Sequence, residues 1–325
     1  MQNHSGGVAL RIKRLSDALN CIPDVSVSLY NKWTDKLSDF DILSYFKLSV
    51  EGYETISYAK NQNKKIVVAS VVPQINKFHI QFGRSLNKIF PIQNTYSFQN
   101  KILNIADVII AQTRKEALFL HDAYGIANKK IRIIPNGVSE SFFEASNRAK
   151  KRDKVLYIGR FDHNKNQLSL IKALKNTSIE CHFIGGSAIE DRDYYNQCRN
   201  EAKSSNNIFF HGWLNNSSKE FIDLLSEAKV VALLSKNEIF GNALIEGAAA
   251  GANLVITRAL PIEELGLGGS CEVVNDVFDI KEIRGKIIKA FGSETNNQLS
   301  EFVHSKYSWQ SVAQEYFKVY NSLVD

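Results

Sequence analysis

Two clusters in the second half of the chain contain the residue types that could do chemistry. In the first, Gly159-Arg160-Phe161-Asp162-His163-Asn164-Lys165-Asn166 follows the apolar run KVLYI and precedes a helical pattern. Arg160 and Lys165 then stand beside a helix N-terminus, whose unpaired N–H groups and dipole favour anions. Gly159 lets the backbone turn sharply there. A phosphate or diphosphate suits such a loop; the plain alternative is a βα loop with ordinary surface cations. The second cluster is Glu238-Ile239-Phe240-Gly241-Asn242-Ala243-Leu244-Ile245-Glu246. Glu238 lies in the loop after VVALLS, and Phe240-Gly241-Asn242 opens a helix that carries Glu246 about one turn inside. A carboxylate on either side of free helix N–H groups suits a sugar with hydroxyls and a phosphate to hold. Two Glu at this spacing arise readily by chance, so the placement carries the argument. For Glu246 alone, the plain alternative, the less favoured of the two, is a solvated helix carboxylate.

Three further motifs are weaker. Ser5-Gly6-Gly7 precedes the first helical pattern, and its backbone N–H groups could approach a phosphate; a flexible terminus explains it equally. Ile134-Pro135-Asn136-Gly137-Val138 is a turn signal at a strand end, structural or hinge-like. Asp191-Arg192-Asp193 mimics a metal-binding DxD, but it falls where acids favour a helix start. The seven His show no metal-ligand spacing.

These loops need strands and helices to position them. Apolar, β-rich runs recur at residues 154–159, 180–185, 207–212, 230–235, 253–257 and 271–275, with amphipathic patterns such as SKEFIDLLSEAK between them. Strands alternating with helices imply βαβ units and a parallel sheet covered on both faces. The first half repeats the pattern, with strands expected at 24–30, 40–46, 65–71, 107–112 and 130–135. Helices are expected at 8–20, 50–61 and 113–124. The polar stretch 146–153 reads as a linker. The small run 247–251 would let its helix pack closely on a sheet. The expectation is an α/β protein of two Rossmann-like domains, with ligand at the carboxyl ends of the strands. A doubly wound domain ordinarily opens with a strand. Here a Gly-Gly turn leads directly into a helix, so either the first strand is missing from this chain or the sheet is built without it.

Length and composition agree. The 325 residues are 44% hydrophobic and 23% charged, enough for two cores and unlike a disordered or repetitive chain. Four scattered Cys make no CxxC pair, which points to a reducing compartment. No apolar run approaches membrane-spanning length, and the N-terminus has no secretory h-region. No GxxxxGK[ST], strand-linked GxGxxG or HExxH occurs. The net charge of +6 is uneven: residues 1–150 carry +8 and the remainder −2.

Taken in order, these clusters resemble the retaining glycosyltransferases of family 4, which have the GT-B fold. The resemblance is carried by Gly6-Gly7, IIPNGV at 133–138, YIGRFDHNKN at 157–166, HFIGG at 182–186, FFHGW at 209–213 and EIFGNALIEGAAAG at 238–251. SKYSWQSVAQEY at 305–316 is similar to the family's closing segment. The match is strong over 133–257 and loose before residue 107. It implies an acceptor-side domain at 1–147, a nucleotide-sugar domain at 148–306, and a last helix at 307–325 crossing back to the first domain. It also implies roles: Arg160 and Lys165 hold the donor diphosphate, and Glu238 contacts the donor sugar. The loop of Gly159, Phe240, Gly241, Asn242, Ala243 and Leu244 supplies donor contacts. Glu246 bonds the ribose, Gly6 and Gly7 lie near the diphosphate, and the backbone around His211 and Trp213 faces the base. The family often has a His after the fourth N-terminal strand. This chain reads Ser70-Val71-Val72-Pro73-Gln74, with His79 further on.

The resemblance implies sugar transfer from a nucleotide diphosphate sugar, UDP favoured, with retention. The donor is a substrate; no cofactor and no metal are expected. A glycan or lipid-linked acceptor is expected, in cell-surface polysaccharide synthesis. The setting is cytoplasmic, with the basic half against an anionic membrane, or merely solvated, and no nucleic-acid partner. A nucleotide-sugar epimerase on the same scaffold and a non-catalytic two-domain binding protein are the alternatives.

Overall fold

The computed structural model describes residues 7–71, 78, 80, 81, 94–146, 151–295 and 297–324. The chain divides into two compact units, residues 1–137 with 309–325, and residues 138–308.

In the first unit, α1 (Gly7–Leu19) leads through an irregular stretch to β1 (Ile42–Phe46), α2 (Val50–Asn61) and β2 (Lys65–Ala69). Then come α3 (Thr95–Ile105), β3 (Val108–Ala111), α4 (Arg114–Tyr124) and β4 (Ile131–Ile133). The sheet is parallel in the order β1-β2-β3-β4. Its apolar residues alternate between two packed layers. Leu43, Ile66 and Ile109 face the α2 and α3 side, while Val67 and Ile110 pack with Leu15 and Leu19 of α1. Side chains of Ser49, Asn94 and Thr113 cap α2, α3 and α4, each satisfying a helix N–H that would otherwise lack a partner.

One expectation fails here. Residues 24–30 form no strand; residues 25–31 belong to no helix or ladder. Val27 instead bonds the Asn20 side chain through both its N–H (2.7 Å) and its carbonyl (2.9 Å). The V-S-V-S alternation is a genuine β pattern, but no strand lies beside it to pair with. Among the described residues no strand precedes β1 in the sheet. Gly6, His79 and residues 72–74 lie outside the described residues.

The second unit begins with α5 (Glu140–Ala145), followed by β5 (Lys154–Ile158), α6 (Gln167–Leu174), β6 (Glu180–Ile184), α7 (Arg192–Ala202) and β7 (Ile208–Gly212). It continues with α8 (Lys219–Ser226), β8 (Ala228–Leu233), α9 (Asn242–Ala249), β9 (Asn253–Thr257), α10 (Ile262–Leu265), β10 (Cys271–Val274), α11 (Ile280–Gly292) and α12 (Asn297–Tyr307). All six strands are parallel, in the order β10-β9-β8-β5-β6-β7. From β5 the chain winds one way through β6 and β7, then restarts on the other side of β5 with β8. The topological switch point therefore lies between β5 and β8, where ligands of open α/β sheets bind.

The chain returns to the first unit as α13 (Trp309–Val324), which packs along α1. Gly137 lies flat on the Trp309 ring, and Val138 N–H donates to the Tyr307 carbonyl at 2.7 Å. The Asn-Gly turn is thus structural. Among the described residues no helix is long and apolar enough to cross a membrane.

Candidate active site at the switch point

The loops after β5 and β8 form the candidate site. Phe161 anchors the first loop: its ring is buried against Phe183, Tyr195 and Phe210, at 4.9 to 5.7 Å. Beside it, Asp162 organises the cations. One carboxylate oxygen accepts from Arg160 Nε and Nη2 at 3.1 and 3.0 Å; the other accepts the Lys165 backbone N–H at 2.8 Å. Gln167 Nε2 donates to the Arg160 carbonyl at 2.8 Å. The Tyr157 hydroxyl donates to the Lys165 carbonyl. Preorganisation of this kind gives fixed charges their value in a site.

Lys165 Nζ lies 2.5 Å from Glu238 Oε2, with the two side chains 23% and 16% exposed. Ser235 Oγ donates to the same Glu238 oxygen at 3.2 Å. The two loops are also joined through backbone. Asn164 donates from Nδ2 to the Asn237 carbonyl (2.9 Å) and accepts the Asn237 N–H (2.9 Å), while its own carbonyl accepts from Lys236 N–H at 2.8 Å. Arg160, Lys165 and Glu238 are thereby gathered at the switch point by bonds between residues 72 or 73 apart in sequence.

Just beyond, α9 starts at Gly241, whose φ of +76° is left-handed and whose side supplies no cap. Asn242 is exposed and Ala243 half-buried. Gly241 has no side chain to cap the helix, whose first N–H groups and dipole lie at this end. The Phe240 ring is buried against Tyr307 at 5.7 Å, so Phe240 offers only its backbone. The Leu244 side chain is in the core and its N–H donates to the Gly241 carbonyl at 2.9 Å; it supports the helix start. Gly247 lets α9 lie close on the sheet, since a Cβ there would stand 2.6 Å from Val231 Cγ2 of β8. One turn in, Glu246 is half-buried, and burial pushes its carboxyl up to about 7.

The glycine that the first loop needs is not Gly159. Gly159 has no left-handed φ, and a Cβ there would make only ordinary contacts. The required one is Gly185 after β6, at φ +138°, where a Cβ would collide with the Gly159 carbonyl oxygen. Trp213 is exposed and lies against Gly186. The His211 ring is held elsewhere, 3.0 Å from His182 and 3.5 Å from Glu220. Burial holds the His182 imidazole below its usual range. Asp193 lies in the first turn of α7, as acids at a helix start do. Gly7 is the exposed first residue of α1 in the other unit. The sequence reading missed Asp162, Asn164 and Ser235. Only the Arg160-Phe161-Asp162 spacing held a local signal for the first.

The family description "Glycosyl transferases group 1" matches residues 138–305, and "Glycosyltransferase Family 4" matches residues 63–142. The chain is 26% identical over 307 residues to an uncharacterized 41.2 kDa protein of the cps region of Klebsiella pneumoniae, covering 89% of this chain and 81% of that one. It is 28% identical over 179 residues to the capsular polysaccharide biosynthesis glycosyltransferase CapH of Staphylococcus aureus, covering 53% of this chain and 45% of CapH. Among solved structures, Anabaena HepE in complex with UDP and glucose matches at a TM-score of 0.67 and 15% identity, over 99% of this chain and 84% of HepE.

Proposed function

Because the chain belongs to the group 1 glycosyl transferases, a GT-B glycosyltransferase, we propose that it transfers a sugar from UDP-sugar to a glycan or lipid-linked acceptor, with retention. The observation that carries the reading is the Lys165–Glu238 pair with Arg160, fixed at the switch point beside the start of α9. In this reading Arg160, Lys165 and the α9 amides hold the diphosphate and stabilise charge developing on the leaving group. The leaving diphosphate takes the acceptor proton, so no protein nucleophile is required. Two fixed cations take the part a metal ion plays in other sugar transferases. Glu238 orients the sugar and favours a positive anomeric centre, and Glu246 accepts hydroxyls of the ribose. UDP is favoured because HepE holds it. A polysaccharide acceptor is favoured by the likeness to CapH.

A nucleotide panel read by thermal shift tests this. Saturating UDP should raise Tm by several degrees, since about 100 Kd of ligand stabilises by about 2.7 kcal/mol. Absence of any shift from UDP, GDP, ADP and dTDP forms would sink the proposal.

The +8 charge of residues 1–150 supports a second part of the proposal, that the protein works in the cytoplasm against an anionic membrane face bearing a lipid-linked acceptor. Co-sedimentation with vesicles containing anionic lipid should then fall steeply between low and physiological salt. Binding that salt leaves unaltered would contradict the electrostatic attachment.

A further inference from the structure

Among the described residues of the second unit, Asn166 is the one residue other than glycine with a left-handed backbone, at φ +57°. It stands between Lys165 and Gln167, the first residue of α6. A side chain in that region crowds its own backbone, and glycine would take the same turn freely. A strained position that keeps a side chain points to work done by that side chain.

The ordinary work of Asn at a helix start is to cap it. Asn166 makes no such bond. Its amide is 5% exposed and reaches out of the loop instead. Nδ2 donates to the Val277 carbonyl at 2.7 Å, and Oδ1 accepts from Ser169 Oγ at 2.9 Å. A carbonyl only accepts, so the nitrogen end of the amide must face Val277.

Val277 is a fixed point. It lies in the turn at 275–279 between β10 and α11. There the Glu282 carboxylate accepts the Asn275 N–H at 2.9 Å, Asn275 Nδ2 at 2.7 Å and the Asp276 N–H at 3.0 Å. The Phe278 N–H donates to Asp276 Oδ1 at 2.9 Å. The bonds from Asp162 and Tyr157 hold the Lys165 backbone within its own loop and against β5. The bond from Asn166 holds the very next residue against the turn after β10. Lys165 is therefore braced on both sides before its ammonium meets Glu238.

We propose that Asn166 is a positioning residue for the Lys165 ammonium. Its left-handed backbone aims Lys165 at Glu238, and its amide, seated on the Val277 carbonyl, keeps that aim. The inference rests on the sugar-transfer reading. The test compares Asn166→Gly, which keeps the turn and loses the amide, with Asn166→Ala, which loses the amide and is strained in the turn. Nucleotide release from UDP-, GDP-, ADP- and dTDP-sugars, with water as acceptor, is measured per folded protein, and Tm alongside. Asn166→Gly should lower kcat about fivefold or more with donor KM little changed, and Asn166→Ala should lower it further, toward about a hundredfold. In a Lys165→Ala background, Asn166→Gly should cost less than about twofold, because the group it places is gone. A merely structural Asn166 would lower Tm in both backgrounds and leave turnover per folded protein unchanged. If Asn166→Ala does not fold, the glycine variant, which relieves the backbone, carries the test. A smaller loss in the wild-type background or a larger one in the Lys165→Ala background overturns the inference, while turnover by the wild-type chain leaves the sugar-transfer reading standing. A wild-type chain that releases nucleotide from no donor overturns both.

Discussion

Lys165→Ala is expected to lower kcat with the nucleotide-sugar donor by about two to three orders of magnitude, the scale of removing one preorganised group from a site of developing charge. The geometry explains why this residue dominates. Its ammonium is partly buried and fixed from two directions: by Glu238 at 2.5 Å, and by a backbone whose N–H and carbonyl are held by Asp162 and Tyr157. In the proposed reaction it would therefore need little reorganisation as the diphosphate departs. Arg160→Ala should cost only about tenfold, because its side chain is 53% exposed and solvent screens it. The fall in kcat and in kcat/KM should be alike if Lys165 acts mainly in the transition state. Lys165→Ala also removes the cation beside Glu238, so some stability is lost. Rates are therefore compared per folded protein, with Tm measured alongside. If the pair served the fold alone, Lys165→Ala and Glu238→Gln would lower Tm while the folded fraction kept full turnover. That outcome would remove both residues from the site.

The residues that read most clearly in the sequence are those whose signal is local. Runs such as NLVIT and helices such as 50–61 emerge at their expected places, because β-branched content and helical spacing depend on near neighbours. The loop cations and Glu238 were legible as residues at strand ends. Their meeting was not, since it depends on the chain restarting beside β5 after β7. The same limit explains the glycine error. Gly159 is adjacent to the loop, but the steric conflict lies between neighbouring strands and falls on Gly185. Residues 24–30 carry a sound β pattern, and pattern alone cannot supply a partner. Asp162, Asn164 and Ser235 were invisible because a small polar residue in a loop has no period; only its hydrogen bonds distinguish it.

Glu246→Gln is expected to stabilise the ligand-free protein at pH 8 while weakening UDP binding about tenfold or more, the loss of a charge-assisted hydrogen bond. The first effect follows from the carboxyl's position. Burial raises it from an ordinary 4.5 to about 7. Below about pH 4 the group is protonated in both folded and unfolded chains and has no effect on stability. As pH rises from there to 7 the unfolded chain releases its proton first, so the fold is penalised progressively. Above 7 the whole penalty is present, at most about 3 kcal/mol for a shift of this size. Glutamine removes it, so the Tm gain should appear at pH 8 and vanish at pH 4. The second effect has the opposite sign because, in the proposed ribose contact, donor hydroxyls would bond the carboxylate that burial disfavours. UDP binding to the native protein should accordingly release a proton near pH 7, visible as a buffer-dependent heat in calorimetry. A costly carboxylate retained on a helix start is the expected signature of a residue kept for a ligand. If Glu246→Gln instead lowers Tm at pH 8 and leaves UDP affinity intact, Glu246 belongs to the packing of α9 and the ribose contact is lost from the proposal.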